Sequence, residues 1–510
     1  MMNEKFTSLL DVVEHTIEQH GSKSAAMDPK KSITWSELGM HARRIGNQIQ
    51  SEVHAKEPGF PVAVFSEKSV ELLEMILGVQ YAGGFYCYLN PEQPKERLIK
   101  IMEVLQPKLC LVEDDLMERF LDMGLSTPCM SFSQGHMGNS IGAVDEIRPM
   151  IGRETPLYGV FTSGSTGVPK CVLVSHGAAM DFIRHFVAMF QFDETDIIAN
   201  QAPFDFDVSI KDIVTAYYTG AQLVLIPRNL FTKPKELLDY LCDARVTSMT
   251  WAVSALCLIS GLKGLEYRVP TRVRRVMFSG EVMPMKQLEI WQKYLPDALY
   301  VNLYGPSEIT CNCTYFELQR TYGREEKLPL GRAFPGRKVF LLDEHDHPVT
   351  ELHHPGEICV TGESLAIGYY HNEEETKKRF VSYINEEGQR VRMYRTGDLA
   401  ELAEDGECYF AGRKDFQIKH MGHRIELEEI ERSIQAIDAV ERCVCRYDEI
   451  HHRISAFYVG SIDKKELHLI LKEQLPVYMV PNQFIQVKAF VLNKNGKIDR
   501  KVLDELEVVA

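Results

Sequence analysis

The stretch Phe161-Thr-Ser-Gly-Ser-Thr-Gly-Val-Pro-Lys170 gathers the residue types that hold an oxyanion. Gly164 and Gly167 permit backbone geometries closed to other residues, so successive N–H groups can turn inward, while Ser163, Ser165, Thr166 and Lys170 add hydroxyl and ammonium donors. The chemistry implied is a phosphate cradle. It is not the GxxxxGK[ST] loop, since Cys171 follows Lys170 and the glycine spacing differs; a flexible surface loop is the plain alternative. Asn302-Leu-Tyr-Gly-Pro-Ser-Glu308 sets an aromatic ring, a tight turn, a hydroxyl and a carboxylate in one short loop, suited to a base and a metal–phosphate group. Tyr394-Arg-Thr-Gly-Asp398 puts a carboxylate just after a turn, able to accept two ribose hydroxyls. Lys497 follows the glycine turn of Asn493-Lys-Asn-Gly. Asp207, in the apolar run Phe206-Asp-Val-Ser-Ile-Lys211, is costly to bury without a cationic partner.

Elements must hold these residues in place. Runs such as PVAVFS from Pro61, LCLVED from Leu109, LVLIPR from Leu223 and VRRVMFSG from Val273 read as strands and alternate with helical patterns such as Ser69 to Tyr81. Such alternation predicts α/β layers with a largely parallel sheet. The first helix is expected to start at a Thr7 or Ser8 cap, to turn Leu9, Leu10, Val13 and Ile17 to one face, and to end at Gly21. GEICVTG and GECYFAG suggest a smaller β-rich region, and the pattern beyond Gly412 suggests a small α+β domain. Within the latter, Glu426 to Glu431 is read as the solvated face of a helix whose apolar side carries Ile425, Leu427 and Ile430.

A chain of 510 residues is long enough for a large core, and 45% hydrophobic with 25% charged residues argues against wholesale disorder. Net charge −15 argues against a general nucleic-acid binder. No apolar run reaches the length of a membrane span, so neither membrane insertion nor nucleic-acid binding is expected, and the location expected is cytoplasmic. The pairs Cys311/Cys313 and Cys443/Cys445 lack zinc-knuckle spacing, which leaves buried reduced thiols.

In this order and spacing the segments resemble the adenylate-forming ligase superfamily, which includes acyl-CoA synthetases, luciferases and the amino-acid adenylation domains of peptide synthetases. The resemblance covers nearly the whole chain. It implies a large N-terminal domain, residues 1–412, of layered sheets and helices with a β-rich subdomain, and a small mobile α+β domain, residues 413–510, hinged at Asp415. It implies ATP and Mg²⁺ as cofactors, and two steps: a carboxylate attacks the α-phosphorus to form an acyl-adenylate and pyrophosphate, then a thiol displaces AMP. Carried onto this sequence, it gives Thr162, Ser163, Gly164, Ser165, Thr166, Gly167 and Lys170 the β- and γ-phosphates. Tyr304 would stack on adenine with Asn302 at its edge and Gly305 in the turn, Ser307 would touch the α-phosphate, and Glu308 would hold Mg²⁺. Asp398 would bind the ribose, with Arg413 near it. Lys497 would contact the α-phosphate and carboxylate oxygens, Gly422 would lie beside a pantetheine tunnel, and His176 matches a family histidine that implies a catalytic role in contact with substrate, with capping or packing as the alternative; Thr162, Glu308 and Lys497 are the other catalytic candidates.

In amino-acid adenylation domains an aspartate at the place of Asp207 holds the substrate's amino group, which implies an amino-acid substrate; an acyl-CoA synthetase using CoA is the enzymatic alternative, and a non-catalytic homologue the other. The wider pattern is most similar to D-alanine:carrier-protein ligases and free-standing adenylation enzymes. Only thirteen residues follow Lys497, so a separate phosphopantetheinylated carrier protein is expected as partner. The implied pocket is lined by Val208, Lys211, Ser254, Met277, Ser279, Leu303, Cys311 and Asn312. Lys211 and Ser279 depart from the alanine pattern. Asp207 and Lys211 stand at i,i+4 and either pair with one another or divide an amino acid between them, Lys211 taking a side-chain carboxylate or polar group.

Overall fold

A computed structural model describes residues 6–139, 142–164, 168–385, 387–449, 451–491, 498, 500–506 and 508. The chain divides into two compact units, the first comprising Met1–Asn90, Leu105–Val160 and Cys171–Lys414, the second Pro91–Val104, Phe161–Lys170 and Asp415–Ala510. The layered α/β fold with a smaller α+β part is the one the sequence leads to.

Two sheets form the body of the first unit. One runs in the order Gly368–Tyr369, Lys170–Ser175, Pro156–Thr162, Gly84–Leu89, Phe60–Phe65, Leu109–Val112, Cys129–Ser131. The strands Phe60–Phe65 and Gly84–Leu89 are buried along their whole length and pair in parallel, which is why they read as unbroken apolar runs rather than alternating ones. The second sheet has a parallel centre, Leu299–Tyr304, Arg275–Ser279, Ser248–Ala252, Ile197–Asn200, Gln222–Leu225 and Ser24–Met27, with antiparallel strands at its edges. The β-rich region is antiparallel and centres on Arg390–Leu402, flanked by Gly356–Gly362, Phe380–Ile384 and Cys408–Arg413. The first helix is Leu9–His20 with Ser8 as its cap; Leu9, Leu10 and Val13 are fully buried.

In the second unit, Gln417–His420 and His423–Glu426 form a hairpin whose two-residue turn, Met421 and Gly422, has positive φ at both positions, 53° and 79°. The helix Leu427–Gln435 follows, then strands Val440–Asp448, Arg453–Gly460 and Gln483–Gln486, with the helix Lys464–Gln474 packed through Leu467 and Leu471. Glu426, Glu429 and Glu431 correct the expectation of a solvated acidic face, being only 5%, 4% and 8% exposed. Each is buried because it has a partner. Gln417 donates to Glu426 at 2.6 Å, Arg97 pairs with Glu429 at 2.7 Å, and Arg500 pairs with Glu431 at 2.8 Å. Helical periodicity reports apolar faces but not the cations that cover a carboxylate from elsewhere in the chain. Among the described residues no helix is long and apolar enough to cross a membrane, and the twelve cysteines are reduced thiols.

Candidate active site

Most of the expected ligand-binding residues lie in the first unit, at or just beyond the carboxyl ends of the parallel strands Ile197–Asn200, Ser248–Ala252, Arg275–Ser279 and Leu299–Tyr304, where ligands bind in open α/β sheets. Asn302, Leu303 and Tyr304 end the last of these strands, Met277 and Ser279 close the third, and Ser254 follows the second.

Beyond Tyr304 the chain folds into a closed loop. The Cys313 N–H donates to the Tyr304 carbonyl at 2.8 Å, and Thr310 and Cys311 adopt left-handed backbone at φ 54° and 71°. Gly305 is required there: a Cβ on it would stand 2.6 Å from Asn312 Cα and 2.8 Å from both Cys311 O and Cys313 N. A short 3₁₀ turn, Ser307–Ile309, directs Glu308 inward until it is fully buried, and the Tyr369 hydroxyl donates to its Oε1 at 2.6 Å. The Tyr304 hydroxyl donates to Asp398 Oδ2 at 2.6 Å, fixing the plane of the ring, while Arg413 pairs with Asp398 Oδ1. Asp398 and Arg413 are cross-strand partners, so the ion pair follows from sheet register. An ionised carboxylate has about four lone-pair sites, so each oxygen keeps capacity for one more donor. Asn302 donates to the Pro329 carbonyl at 2.9 Å.

Asp207 opens the helix Asp207–Thr219 and is 9% exposed. Burial raises its pKa above the ordinary carboxylate value, while the Ser307 hydroxyl and the Lys211 charge act in the opposite direction. Lys211 lies one turn on, but its ammonium donates to Asn312 Oδ1 at 2.8 Å and sits 5.7 Å from the Phe186 ring. Asp207 and Lys211 do not form a direct ion pair with each other, though each charge acts on the other. Burial lowers the Lys211 pKa. The Cys311 thiol donates to the Asp207 carbonyl at 3.2 Å and ties the loop to the helix. Ser279 Oγ is buried without a hydrogen-bond partner among the described residues. Val208 and Ser254 are half-buried; Met277 and Leu303 are buried, with Met277 Sδ 3.8 Å from the Thr250 hydroxyl.

In the second unit Thr162 ends the strand Pro156–Thr162. The Ser163 hydroxyl donates to the Arg424 carbonyl at 2.7 Å and accepts from Glu426 N at 3.1 Å, so in this structure it is spent on the hairpin. A Cβ on Gly164 would collide with the Val168 carbonyl. Lys170 begins the strand Lys170–Ser175. Ser165, Thr166, Gly167 and Lys497 lie outside the described residues.

His176 corrects the expectation of a catalytic role. It follows the far end of the strand Lys170–Ser175, roughly 20 Å along the chain from the glycine-rich loop at about 3.3 Å per residue. It is 1% exposed, and its Nδ1 accepts from the Leu9 N–H at 3.2 Å. The ring is a packing element that anchors the first helix.

Several positioning residues carry no local sequence signal. Tyr369 belongs to no motif, yet it holds Glu308; Thr396, inside the Tyr394–Asp398 segment, donates to the Ile358 carbonyl at 2.8 Å and accepts from the Asp398 N–H at 3.0 Å. The Lys68 ammonium donates to the carbonyls of Asn200, Gln201 and Ala202 at 2.7, 3.1 and 2.9 Å, clamping the segment that leads into the Asp207 helix. Only the fold shows the Tyr369–Glu308, Thr396–Ile358 and Lys68 contacts, because each joins segments far apart in the chain.

Residues 13–370 match the family described as AMP-binding enzyme. The chain is 30% identical over 511 residues to zwittermicin A synthase ZmaJ of Bacillus cereus, with 98% of this chain and 94% of that protein covered. It is 31% identical over 518 residues to one of the mycosubtilin synthase polypeptides of Bacillus subtilis, covering 96% of this chain but 19% of that protein, so it spans about a fifth of that relative's length. Among solved structures it resembles holo-PA1221, an NRPS protein containing adenylation and PCP domains bound to a vinylsulfonamide inhibitor, with TM-score 0.84, 23% identity, and 98% and 84% of the two chains covered; that likeness is one of fold.

Proposed function

The chain belongs to the AMP-binding enzyme family, and on that premise we propose that it activates an amino acid as an aminoacyl-adenylate and passes it to the phosphopantetheine thiol of a carrier protein. The observation that carries this reading is Asp207: a buried carboxylate beside a hydroxyl, with no ion-pair partner among the described residues. Such a group favours a cation brought by the ligand, and an α-ammonium is that cation. The relatives lend support, being named as synthases of zwittermicin A and of mycosubtilin, and the solved neighbour joins an adenylation domain to a PCP domain.

In this reading Asp398, oriented by Tyr304 and Arg413, accepts the ribose hydroxyls. The Tyr304 ring, fixed by its hydroxyl, flanks the adenine, and Asn302 lines its edge. Thr162 to Lys170 receive the outer phosphates, and Lys497 the α-phosphate and the attacking carboxylate, whose developing charge it offsets. Glu308 is a hard oxygen donor of the type Mg²⁺ takes, and the ion it would hold neutralises phosphate charge. Asp415, the first residue of the second unit's C-terminal segment, is assigned as the hinge, and Gly422 as the glycine beside the pantetheine.

The side-chain pocket favours a polar substrate over alanine. Lys211 donates to the amide oxygen of Asn312, with the Asp212 and Asp207 carboxylates close enough to act on its charge, and the Ser279 hydroxyl is unpartnered among the described residues. A buried hydroxyl without a partner costs about 1–3 kcal/mol, and a substrate carboxylate or amide would satisfy both groups. The test is ATP–pyrophosphate exchange across amino acids in both L and D forms, with fatty and aryl acids alongside. Exchange is expected with an acidic or amide amino acid, lost in Asp207→Ala and redirected toward apolar amino acids in Lys211→Leu. Exchange with non-amino acids alone, or undiminished exchange in Asp207→Ala, would overturn the reading in favour of an acyl-CoA synthetase.

A further inference from the structure

In the first unit, the helix Trp35–Val53, the helix Val70–Tyr81 and the turn after the helix Phe132–Gly135 bring His41, Glu74 and His136 together, none of them part of the site above. The Glu74 side chain is fully buried. Its Oε1 accepts from Lys31 Nζ at 2.8 Å and lies 3.2 Å from His41 Nδ1. Its Oε2 lies 3.2 Å from His136 Nε2 without the alignment a hydrogen bond needs, and it has no hydrogen-bond partner among the described residues. The two imidazoles meet edge to face with centroids 5.4 Å apart, and the three ligand atoms lie within 4.8 Å of one another.

We propose that His41, Glu74 and His136 form a binding site for a divalent transition-metal ion of the zinc type. Two imidazole nitrogens and one carboxylate oxygen form a borderline donor set, suited to Zn²⁺, Co²⁺ or Ni²⁺ rather than to Mg²⁺ or Ca²⁺, which prefer oxygen. Ligand atoms on one tetrahedral ion, each about 2.0–2.2 Å from it, stand about 3.3 Å apart; each imidazole here stands 3.2 Å from one of the two Glu74 oxygens, His41 from Oε1 and His136 from Oε2. The buried Oε2, which has only the poorly aligned 3.2 Å contact to His136 Nε2, would gain a direct bond from an ion. The side chains of His41 and His136 are 26% and 31% exposed, which leaves an entry path and room for water in the fourth position. Lys31 opposes a dication, but it also lies 4.0 Å from Glu71 Oε1, a second carboxylate to which it can turn. The ion would staple three segments of the chain that meet only through tertiary packing.

The test is titration of the full-length protein, stripped with chelator and free of ATP and Mg²⁺, with Co²⁺. One equivalent is expected to bind with the visible d–d absorption of a low-coordinate Co²⁺ ion, to be displaced by Zn²⁺ and to raise Tm. His136→Ala, a substitution at a half-exposed position, is expected to abolish both the band and the shift in Tm while leaving pyrophosphate exchange unchanged. Lys31→Met is expected to tighten binding severalfold by removing the competing ammonium. Absence of the band from the unaltered protein, or its persistence in His136→Ala, would overturn the site; persistence would transfer the ion to the thiols.

Discussion

His176 is 1% exposed, with Nδ1 on the Leu9 N–H, and burial together with the Arg148 charge pushes its pKa from 6.5 down to about 3. The folded protein therefore holds this ring neutral where the unfolded chain takes up a proton. A depressed folded pKa gives stability that is complete above pH 6.5 and is lost as the pH falls from 6.5 toward 3, by at most roughly 1.4 kcal/mol per pH unit crossed. His176→Asn keeps an acceptor for Leu9 and removes the titration. We expect Tm to fall less steeply for the variant than for the parent between about pH 6.5 and 4; equal slopes would show that other groups govern acid unfolding. Residues of this kind mark the limit of legibility in the sequence. A histidine that caps buried backbone and one that meets substrate are the same letter after the same strand, whereas Asp207 and Lys211 are readable because charge inside an apolar run is rare and demands an account.

The loop from Gly305 to Cys313 carries Glu308, Cys311 and Asn312 on one closed backbone path, and Gly305 is the position where that path leaves no space. Three backbone atoms of residues 311–313 stand within 2.8 Å of the place a Cβ would take. Backbone cannot swing aside as a side-chain tip can, so Gly305→Ala must shift Asn312, and with it the oxygen that holds Lys211. Overpacking of this kind costs typically about 1–3 kcal/mol. Gly261, where an added Cβ would meet no atom within 4 Å beyond its own helix, supplies the control. Gly305→Ala is expected to lower both Tm and the kcat/KM of exchange, while Gly261→Ala leaves both nearly unchanged; parity between the two variants would mean the loop can reshape itself freely. At this scale the sequence is most legible. Apolar runs such as those at Pro61, Leu109 and Val273 become the strands Phe60–Phe65, Leu109–Val112 and Arg275–Ser279, because burial on both faces writes itself directly into composition. The burial of Glu429 and Glu431 is illegible by contrast, because their cations, Arg97 and Arg500, stand 332 and 69 residues away, well beyond any helical period.

For the molecule as a whole, the proposed chemistry separates into two steps that make different demands on one lysine. Forming the adenylate sets a carboxylate oxygen and a phosphoryl oxygen, both negative, against one another, and a fixed ammonium contributes most where that charge develops. Attack by a thiol on the finished adenylate is instead a reaction at a carbonyl, with a neutral acyl group and AMP as the leaving group. Lys497, on the C-terminal segment after Asp415, is assigned to the first step alone, so its removal should divide the two steps rather than slow them together. For Lys497→Ala we expect pyrophosphate exchange to fall by about 10²–10³-fold, the usual cost of losing one preorganised charge-stabilising donor. Transfer from a preformed aminoacyl-adenylate to a phosphopantetheinylated carrier, followed in a single turnover, should fall by less than about tenfold, since mutant kinetics report only interactions made in the step observed. Equal losses in both assays would assign Lys497 to the fold or to both steps. Loss confined to transfer would reverse the assignment, and the segment after Asp415 would then serve the thiol rather than the phosphate.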